Sequence, residues 1–159
     1  MSGETPPYAA ALGRIPSGLF VLTACQQPHE AGLLVSWVQQ CSFVPPRLTV
    51  AVRQGRWLLE WLQPGRPFVL NVLGEGSREL VAHFGKGWEP GTDPFQGVAV
   101  QRHGHPAPVL CQAHAYLVCQ TVAHFPAGDH VLVLAEVTGG AVLHDGRPTV
   151  HIRKSGLHY

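Results

Sequence analysis

The segment that most constrains the fold is a pair of apolar runs, residues 115–123 and 130–138, on either side of a short turn. Pro126, Gly128 and Asp129 favour tight turns, so the two runs predict a β-hairpin. In the second run, valine and alanine alternate with leucine, which makes both faces of the strand apolar. Because such a strand is buried on both sides, we expect one face in a core and the other against a second subunit.

The rest of the chain is predicted to form short strands and a few helices. β-branched and aromatic residues indicate strands over residues 19–24, 31–38, 48–53 and 67–73. Helices are predicted over residues 5–15 with Thr5 as N-cap, from Arg56 through RWLLEWL, and from Ser77, as N-cap, to about Lys86. Many short strands with two or three helices favour a β-barrel over a βαβ arrangement.

The composition limits the classes of partner. The chain has 159 residues, which fits a single domain over residues 1–159. Its net charge is +1 and 13% of its residues are charged, well below the roughly 25% of ordinary domains. Without a long basic run, the sequence predicts binding neither to nucleic acid nor to a membrane. A surface so poor in charge favours a buried subunit interface, so we expect an oligomer.

The amino-terminal sequence and the cysteines bear on localisation. MSGETPPYAAALGR lacks the basic and apolar regions of a signal peptide, and no apolar stretch is long enough to span a bilayer. The four cysteines show no CxxC spacing, so no disulfide framework is expected. The sequence therefore predicts a reduced, cytoplasmic protein.

The segment RQGR, residues 53–56, is a candidate anion site. A predicted strand ends at Arg53, Gly55 allows a tight turn, and a predicted helix begins near Arg56. Helix N-termini present free N–H groups to phosphates, and guanidinium groups pair with phosphate through two hydrogen bonds. Two arginines that are merely solvated at the start of a helix are the alternative.

Two further polar features lie in apolar surroundings. SWVQQCSF, residues 36–43, carries hydroxyl, indole and amide groups that could bind a heteroaromatic ring edge or a phosphate. The outward positions of an edge strand would give the same pattern. Asn71 interrupts an apolar strand, and if buried it must be hydrogen-bonded. It could satisfy the backbone of a neighbouring strand or face a ligand.

The sequence favours no metal site. His103 and His105 would share one face of a strand, but no third ligand follows at a recognisable spacing. HExxH, GxSxG, GxxxxGK[ST] and GxGxxG patterns are all missing. If a nicotinamide cofactor binds this chain, it does so without a Rossmann fold.

The order of these segments resembles the flavin reductase-like family of split-barrel FMN-binding proteins. The resemblance runs from about Ala11 to Tyr159 and rests on LGRIPSGLFVLTA, GLLVSWVQQCSFVPPRLTVAV, PFVLNVL, HF followed by FQGV, GDH and HIRKSGLHY. SWVQQCSF and the final segment resemble most the C-terminal flavin reductase domain of cyanobacterial-type flavodiiron proteins. The sequence has no room for the diiron or flavodoxin-like domains, so diiron chemistry is not carried over.

The resemblance implies a Greek-key split β-barrel, a homodimer, and FMN in a groove near the subunit interface. It implies that the flavin ring, phosphate and ribityl chain are held by Ser36, Trp37, Val38, Gln39, Ser42, Arg53 and Arg56.

The resemblance implies roles for five other residues. Asn71 would lie near the isoalloxazine ring or its supporting strand, His83 and Phe84 would contact the flavin or the nicotinamide, and His151 and Tyr159 would close over the cofactor.

The GDH motif, Gly128-Asp129-His130, is associated in this family with the reduced nicotinamide. The resemblance therefore implies that His130 lies beside the flavin face. Asp129 would shape the turn and orient His130.

The implied reaction is hydride transfer from NADH or NADPH to FMN. The electrons would pass to free flavin, a partner oxygenase or ferric iron. Because the flavin supplies the reactivity, the reaction needs no dedicated acid–base constellation. Two alternatives stay open. One is an electron-transfer protein of the flavoredoxin type, reduced by a protein partner. The other is a split barrel that binds haem or a pyridoxal-type phosphate.

Overall fold

The computed structural model describes residues 3–159, which form mainly short antiparallel strands. The helical elements are α1 (Pro7–Gly13), a 3₁₀ helix (Trp57–Leu62) and α2 (Arg78–Gly85). The strands are β1 (Phe20–Gln26), β2 (His29–Val35), β3 (Val38–Phe43), β4 (Pro46–Arg53), β5 (Pro67–Val72), β6 (Val100–Gln101), β7 (Val109–Leu110), β8 (Ala115–Ala127) and β9 (His130–Val142).

Seven of these strands form one sheet in the order β2-β1-β5-β8-β9-β4-β3, and β6 pairs with β7 separately. The sheet contains three hairpins, β1–β2, β3–β4 and β8–β9, joined by pairings between strands distant in sequence. β5 pairs with both β1 and β8, and β4 pairs with β9. The sheet is split between its edge strands β2 and β3. The mainly β architecture predicted from the sequence is confirmed.

The sheet curves around a common core, because strands from its two ends contribute to one apolar cluster. That cluster includes Leu22 and Ala31 from one end, and Val50, Val52 and Val133 from the other. A second cluster lies between β1 and α2, where Phe84 packs. A Cβ atom on Gly32 would lie 2.6 Å from the Phe84 ring, so α2 can approach β2 this closely only over a glycine.

The predicted hairpin is confirmed and is longer than expected. β8 and β9 have 13 residues each, and Ala127 pairs with His130 across the two-residue turn. Gly128 has a φ of +65°, a left-handed conformation that glycine adopts without strain. His130 is therefore the first residue of β9, which fixes the direction of its side chain. The outward side chain of Leu132 is only partly buried.

The structure corrects three local predictions. Residues 31–38 are not one strand, because β2 ends at Val35 and β3 begins at Val38. Pro6, not Thr5, occupies the N-cap position of α1, and its ring offers no side-chain acceptor. Ser77 occupies the N-cap position of α2, but its hydroxyl caps no backbone N–H.

Two findings concern membrane-spanning helices and the state of the cysteines. Within residues 3–159, no helix is long and apolar enough to cross a bilayer. Cys25, Cys41, Cys111 and Cys119 are free thiols, and burial raises the pKa of Cys119 to about 12.

Candidate functional site

A cavity of about 400 Å³ opens between β2, β4, the end of α2 and the final segment, residues 151–159. Its walls are mainly apolar and come from Leu33, Leu34, Val52 and Val81. Seven residues predicted to bind a cofactor also line it: Ser36, Trp37, Arg53, Arg56, Phe84, His151 and Tyr159. The fold thus brings residues from five separate stretches of the sequence to one site.

Trp37 lies at the centre of this site because it occupies the break between β2 and β3. Its carbonyl oxygen accepts a hydrogen bond from the Ala51 N–H (2.9 Å), which fixes the break against β4. The indole ring lies 4.7 Å from the His130 ring and 5.7 Å from the Tyr159 ring, centroid to centroid. The Arg153 guanidinium carbon lies 4.9 Å from the indole centroid. Trp37 is therefore bordered by two aromatic rings and a cation.

His130 is held by side chains on both ring nitrogens. It is 6% exposed, and its Nδ1 lies 2.6 Å from the Asp129 carboxylate. Its Nε2 is hydrogen-bonded to the Tyr159 hydroxyl. Because a neutral imidazole has one donor and one acceptor nitrogen, Nδ1–H donates to Asp129 and Nε2 accepts from Tyr159.

Two groups in this chain of hydrogen bonds have shifted pKa values. The hydrogen bond from His130 lowers the pKa of the exposed Asp129 carboxyl below its usual value. Partial burial raises the pKa of Tyr159, although the nearby charges of Arg53 and Arg56 act in the opposite direction. At neutral pH, Asp129 is therefore an acceptor and the Tyr159 hydroxyl a donor.

Arg53 and Arg56 supply positive charge at the edge of the cavity. Arg53 lies directly opposite His130 in the pairing of β4 with β9. Arg56 occupies the N-cap position of the 3₁₀ helix, and its N–H donates to the Arg53 carbonyl (3.3 Å). Both are exposed, and neither forms an ion pair with a carboxylate within residues 3–159. Since the helix has only six residues, the two guanidinium groups are the main anion-binding feature.

Phe84 and His83 are neighbours in sequence but differ in position. Phe84 is buried and forms part of the cavity wall. The His83 ring lies outside the cavity lining, and its Nε2 lies 2.7 Å from the Pro94 carbonyl oxygen. The Trp88 indole N–H donates to the His83 carbonyl at 3.3 Å. His83 thus fastens the loop after α2, and the prediction that it contacts a cofactor does not fit this position.

Val38, Gln39 and Ser42 also lie outside the first cavity. Val38 and Gln39 line a second cavity of about 450 Å³, which shares Trp37 with the first. Ser42 follows an irregularity in the β3–β4 pairing and lies opposite Arg47, away from both cavities. Trp37 is therefore a common wall, with Val38 and Gln39 on its far side.

Asn71 was predicted to lie near the flavin or its supporting strand, and the structure places its side chain among backbone groups. Its side chain is fully buried. Its Nδ2 donates to the Val21 carbonyl (3.0 Å), and its Oδ1 accepts from the Leu110 N–H (2.8 Å). Both ends of the amide are thus used between β1 and β7. Of the two possibilities left open by the sequence, the backbone role is the one that fits.

The final segment contributes a residue that the sequence did not single out. Arg153 lies over Trp37, and its N–H donates to the Gly13 carbonyl at 3.0 Å. His151, which was predicted, reaches the cavity because its backbone pairs with Ser17. Arg153 lines the second cavity, whereas His151 lines the first, so the two residues lie on different sides of Trp37.

The site has the features of a pocket for a planar, phosphorylated ligand. Its volume falls within the range of small-molecule pockets, which are mostly apolar with a few convergent polar groups. The apolar walls and Trp37 suit a flat ring, and the two exposed guanidinium groups suit a phosphate. The residues present therefore fit FMN. No cluster of three or more metal-ligating side chains occurs in the part of the chain that the structure describes.

Comparisons of the sequence and of the structure with known proteins point to the same family. The flavin reductase like domain matches residues 12–156. "Diflavin flavoprotein A 1" from Synechocystis is 42% identical over 94% of this chain. The match covers 26% of that relative, so the chain spans about a quarter of its length.

Solved structures show the same fold. The NADH:FAD oxidoreductase SgcE6 of Streptomyces globisporus has a TM-score of 0.82 at 24% identity, covering 92% of this chain and 86% of that one. It has also been solved in complex with NAD and FAD fragments, with a TM-score of 0.80 at 22% identity, covering 90% of this chain and 85% of that one.

The styrene monooxygenase flavin reductase of Pseudomonas putida S12 is 26% identical, with a TM-score of 0.76, covering 90% of this chain and 91% of that one. The family match over residues 12–156 and this shared fold agree with the resemblance read from the sequence. The chain belongs to the flavin reductase-like family and is an oxidoreductase of that family.

Proposed function

We propose that this protein binds FMN and reduces it with NADH or NADPH. The observation that carries the proposal is the placement of Arg53 and Arg56, which have no carboxylate partner among residues 3–159, beside an apolar cavity that contains Trp37. The anion-binding edge suits the phosphate of FMN, and the flat, apolar wall next to it suits the isoalloxazine ring. FAD, the flavin for which the structural neighbour SgcE6 is named, is the competing flavin.

The bound flavin supplies the hydride-accepting chemistry, and the protein supplies position and electrostatics. Arg53 and Arg56 hold the phosphate, while Trp37 and Phe84 border the ring. His130 presents Nε2 as an acceptor for the carboxamide N–H of the nicotinamide. Asp129 keeps the proton on Nδ1, so that the acceptor faces the site. Because hydride transfer requires close and aligned rings, orientation is the main catalytic task.

The electron acceptor is proposed to be free flavin, a partner oxygenase or ferric iron. A relative at 26% identity is named as the flavin reductase of a styrene monooxygenase, which supports transfer to an oxygenase. The four free cysteines fit a reducing, cytoplasmic location. We further propose a homodimer of one-domain subunits, since the outer face of β9 carries partly buried Leu132 and Leu134.

An anaerobic titration tests the proposal. Purified protein reconstituted with FMN should lose its flavin absorbance on addition of NADH or NADPH. If the flavin stays oxidised with both, nicotinamide-dependent reduction is excluded. Fast reduction by a ferredoxin- or rubredoxin-like donor in that case would identify an electron-transfer protein of the flavoredoxin type. Failure to bind flavin, with uptake of haem or a pyridoxal phosphate, would identify a split barrel that binds one of those ligands instead.

A further inference from the structure

The Tyr159 side chain occupies a position that a nicotinamide ring could use. Its hydroxyl donates to His130 Nε2, and its ring lies 5.7 Å from Trp37 with a tilt of 37°. A reduced nicotinamide has the same two features, namely a flat ring and an N–H donor on its carboxamide. Two groups cannot donate to the single Nε2 lone pair at once.

Tyr159 is weakly held at this position. The residue is 71% exposed, so little apolar area is lost when its side chain leaves. His130, in contrast, is 6% exposed and needs a donor for its buried nitrogen. The two residues therefore differ in what they lose when they separate. The buried His130 nitrogen requires a new partner, whereas the exposed Tyr159 hydroxyl can bond to water.

The segment before Tyr159 is held on α1 up to Gly156, and two exposed hydrogen bonds hold it as far as His158. The Leu157 N–H donates to the Ser155 hydroxyl (3.2 Å), and the Arg153 guanidinium donates to the His158 carbonyl (3.4 Å). Arg153 N–H donates to the Gly13 carbonyl (3.0 Å) and Gly156 N–H donates to the Ala9 carbonyl (2.6 Å). A Cβ atom on Gly156 would collide with Leu12, which shows how closely the segment lies on α1. The three residues beyond Gly156 are exposed. Tyr159 can therefore move while the rest of the segment stays in place.

We propose that Tyr159 is a displaceable substitute for the nicotinamide, which binds by replacing the Tyr159 hydroxyl on His130 Nε2. This rests on the proposed function. It has a consequence for specificity. Asp129 holds the Nδ1 proton, so Nε2 presents a lone pair and selects a ligand with a donor. A primary amide provides one, whereas a carboxylate at the same ring position provides only acceptors.

The test uses FMN-loaded protein and NAD⁺, which carries the carboxamide but cannot donate a hydride. Tyrosine labelled with ¹³C at Cζ gives one signal for each of the three tyrosines, and the Tyr159→Phe variant assigns one of them to Tyr159. Saturation with NAD⁺ should shift the Tyr159 signal. The nicotinic acid analogue, which carries a carboxylate, should bind more weakly and leave that signal in place.

The Tyr159→Phe variant gives an independent measurement. Loss of the competing hydroxyl should make NAD⁺ bind about two- to tenfold tighter by calorimetry, the range for one hydrogen bond. If the hydroxyl instead orients His130 for the ligand, binding becomes weaker. Weaker or unchanged binding, or an unmoved Tyr159 signal at saturation, overturns the proposal. If the Tyr159 proposal fails but NADH still bleaches the flavin absorbance of the wild-type protein, the proposed function stands. If NADH does not bleach the flavin absorbance, both proposals fail.

Discussion

Asn71 and His130 are both buried polar residues in strands, yet their partners differ in kind. Asn71 is bonded to backbone groups of β1 and β7, which are fixed by the sheet. His130 is bonded to the side chains of Asp129 and Tyr159, both of which are largely exposed. Backbone partners make a polar residue part of the framework. Mobile side-chain partners leave it available to a ligand. The comparison shows that burial alone does not distinguish the two roles.

The largest expected effect comes from removing the Asn71 amide. Asn71→Leu removes the buried side-chain hydrogen bonds to the Val21 carbonyl and the Leu110 N–H, which should lower the free energy of unfolding by about 2–5 kcal/mol. Urea denaturation measures this, with the exposed Gln40→Leu as a matched control. If stability is unchanged and only flavin affinity falls, Asn71 is a ligand contact and the comparison fails.

The second-largest expected effect comes from removing the two arginines proposed to bind the FMN phosphate. The double variant Arg53→Ala/Arg56→Ala should weaken FMN binding by about 2–4 kcal/mol, because charged hydrogen bonds to the phosphate are lost. Riboflavin, which lacks the phosphate, should bind both proteins equally. Arg66→Ala/Arg78→Ala removes the same charge away from the cavity and is the control. Unchanged FMN affinity at moderate salt would remove Arg53 and Arg56 from the phosphate role.

His130→Ala should affect the nicotinamide more than the flavin. Loss of one hydrogen bond to the carboxamide predicts a fall in kcat/KM for NADH or NADPH of about tenfold, or ~1.4 kcal/mol. FMN affinity, measured by fluorescence, should stay the same, and His103→Ala should change neither quantity. A large loss of FMN would instead assign the GDH turn to the fold or to flavin binding.

The smallest effect is a pH dependence of stability at Asp129. Its pKa is lowered in the folded protein by the His130 hydrogen bond, so its contribution is complete above the ordinary carboxyl pKa of about 3.9. The contribution is lost as the pH falls through the lowered value. The difference in Tm between wild type and Asp129→Asn should therefore shrink in acid. In a His130→Ala background it should be small at every pH, and a constant difference throughout would argue against the linkage.

The sequence predicted most of the framework because strands and the hairpin depend on local patterns. Alternation, β-branched residues and Pro126-Ala127-Gly128-Asp129 were enough to predict β8, β9 and the turn. It missed the break at Ser36-Trp37. Only Ser36 separates the apolar residues of β2 from Trp37 and Val38, and the break is fixed by the Trp37–Ala51 hydrogen bond across strands.

Arg53, Arg56 and Trp37 were predicted to share one site, and their side chains line one cavity. Their roles in binding a cofactor stay predictions. Prediction was poor for Asn71 and His83, since each is a polar group whose partner lies elsewhere in the sequence. Asn71 is bonded to Leu110, which is 39 positions away. No local pattern reports such a contact, so the sequence could only leave the two roles open.

The pairing of β4 with β9 limits how this hairpin can change in length. Arg53 and His130 lie on one rung of the ladder, so roughly 5 Å of sheet sets the spacing between the groups proposed for phosphate and nicotinamide. Inserting one residue after Gly128 would shift β9 by one position and bring another residue opposite Arg53. The far end of the hairpin, beyond Thr138, is exposed and has no part in this spacing, although a Cβ atom on Gly140 would collide with the Tyr116 carbonyl oxygen. Insertions that keep a glycine at that position should therefore be tolerated there and rejected at the turn.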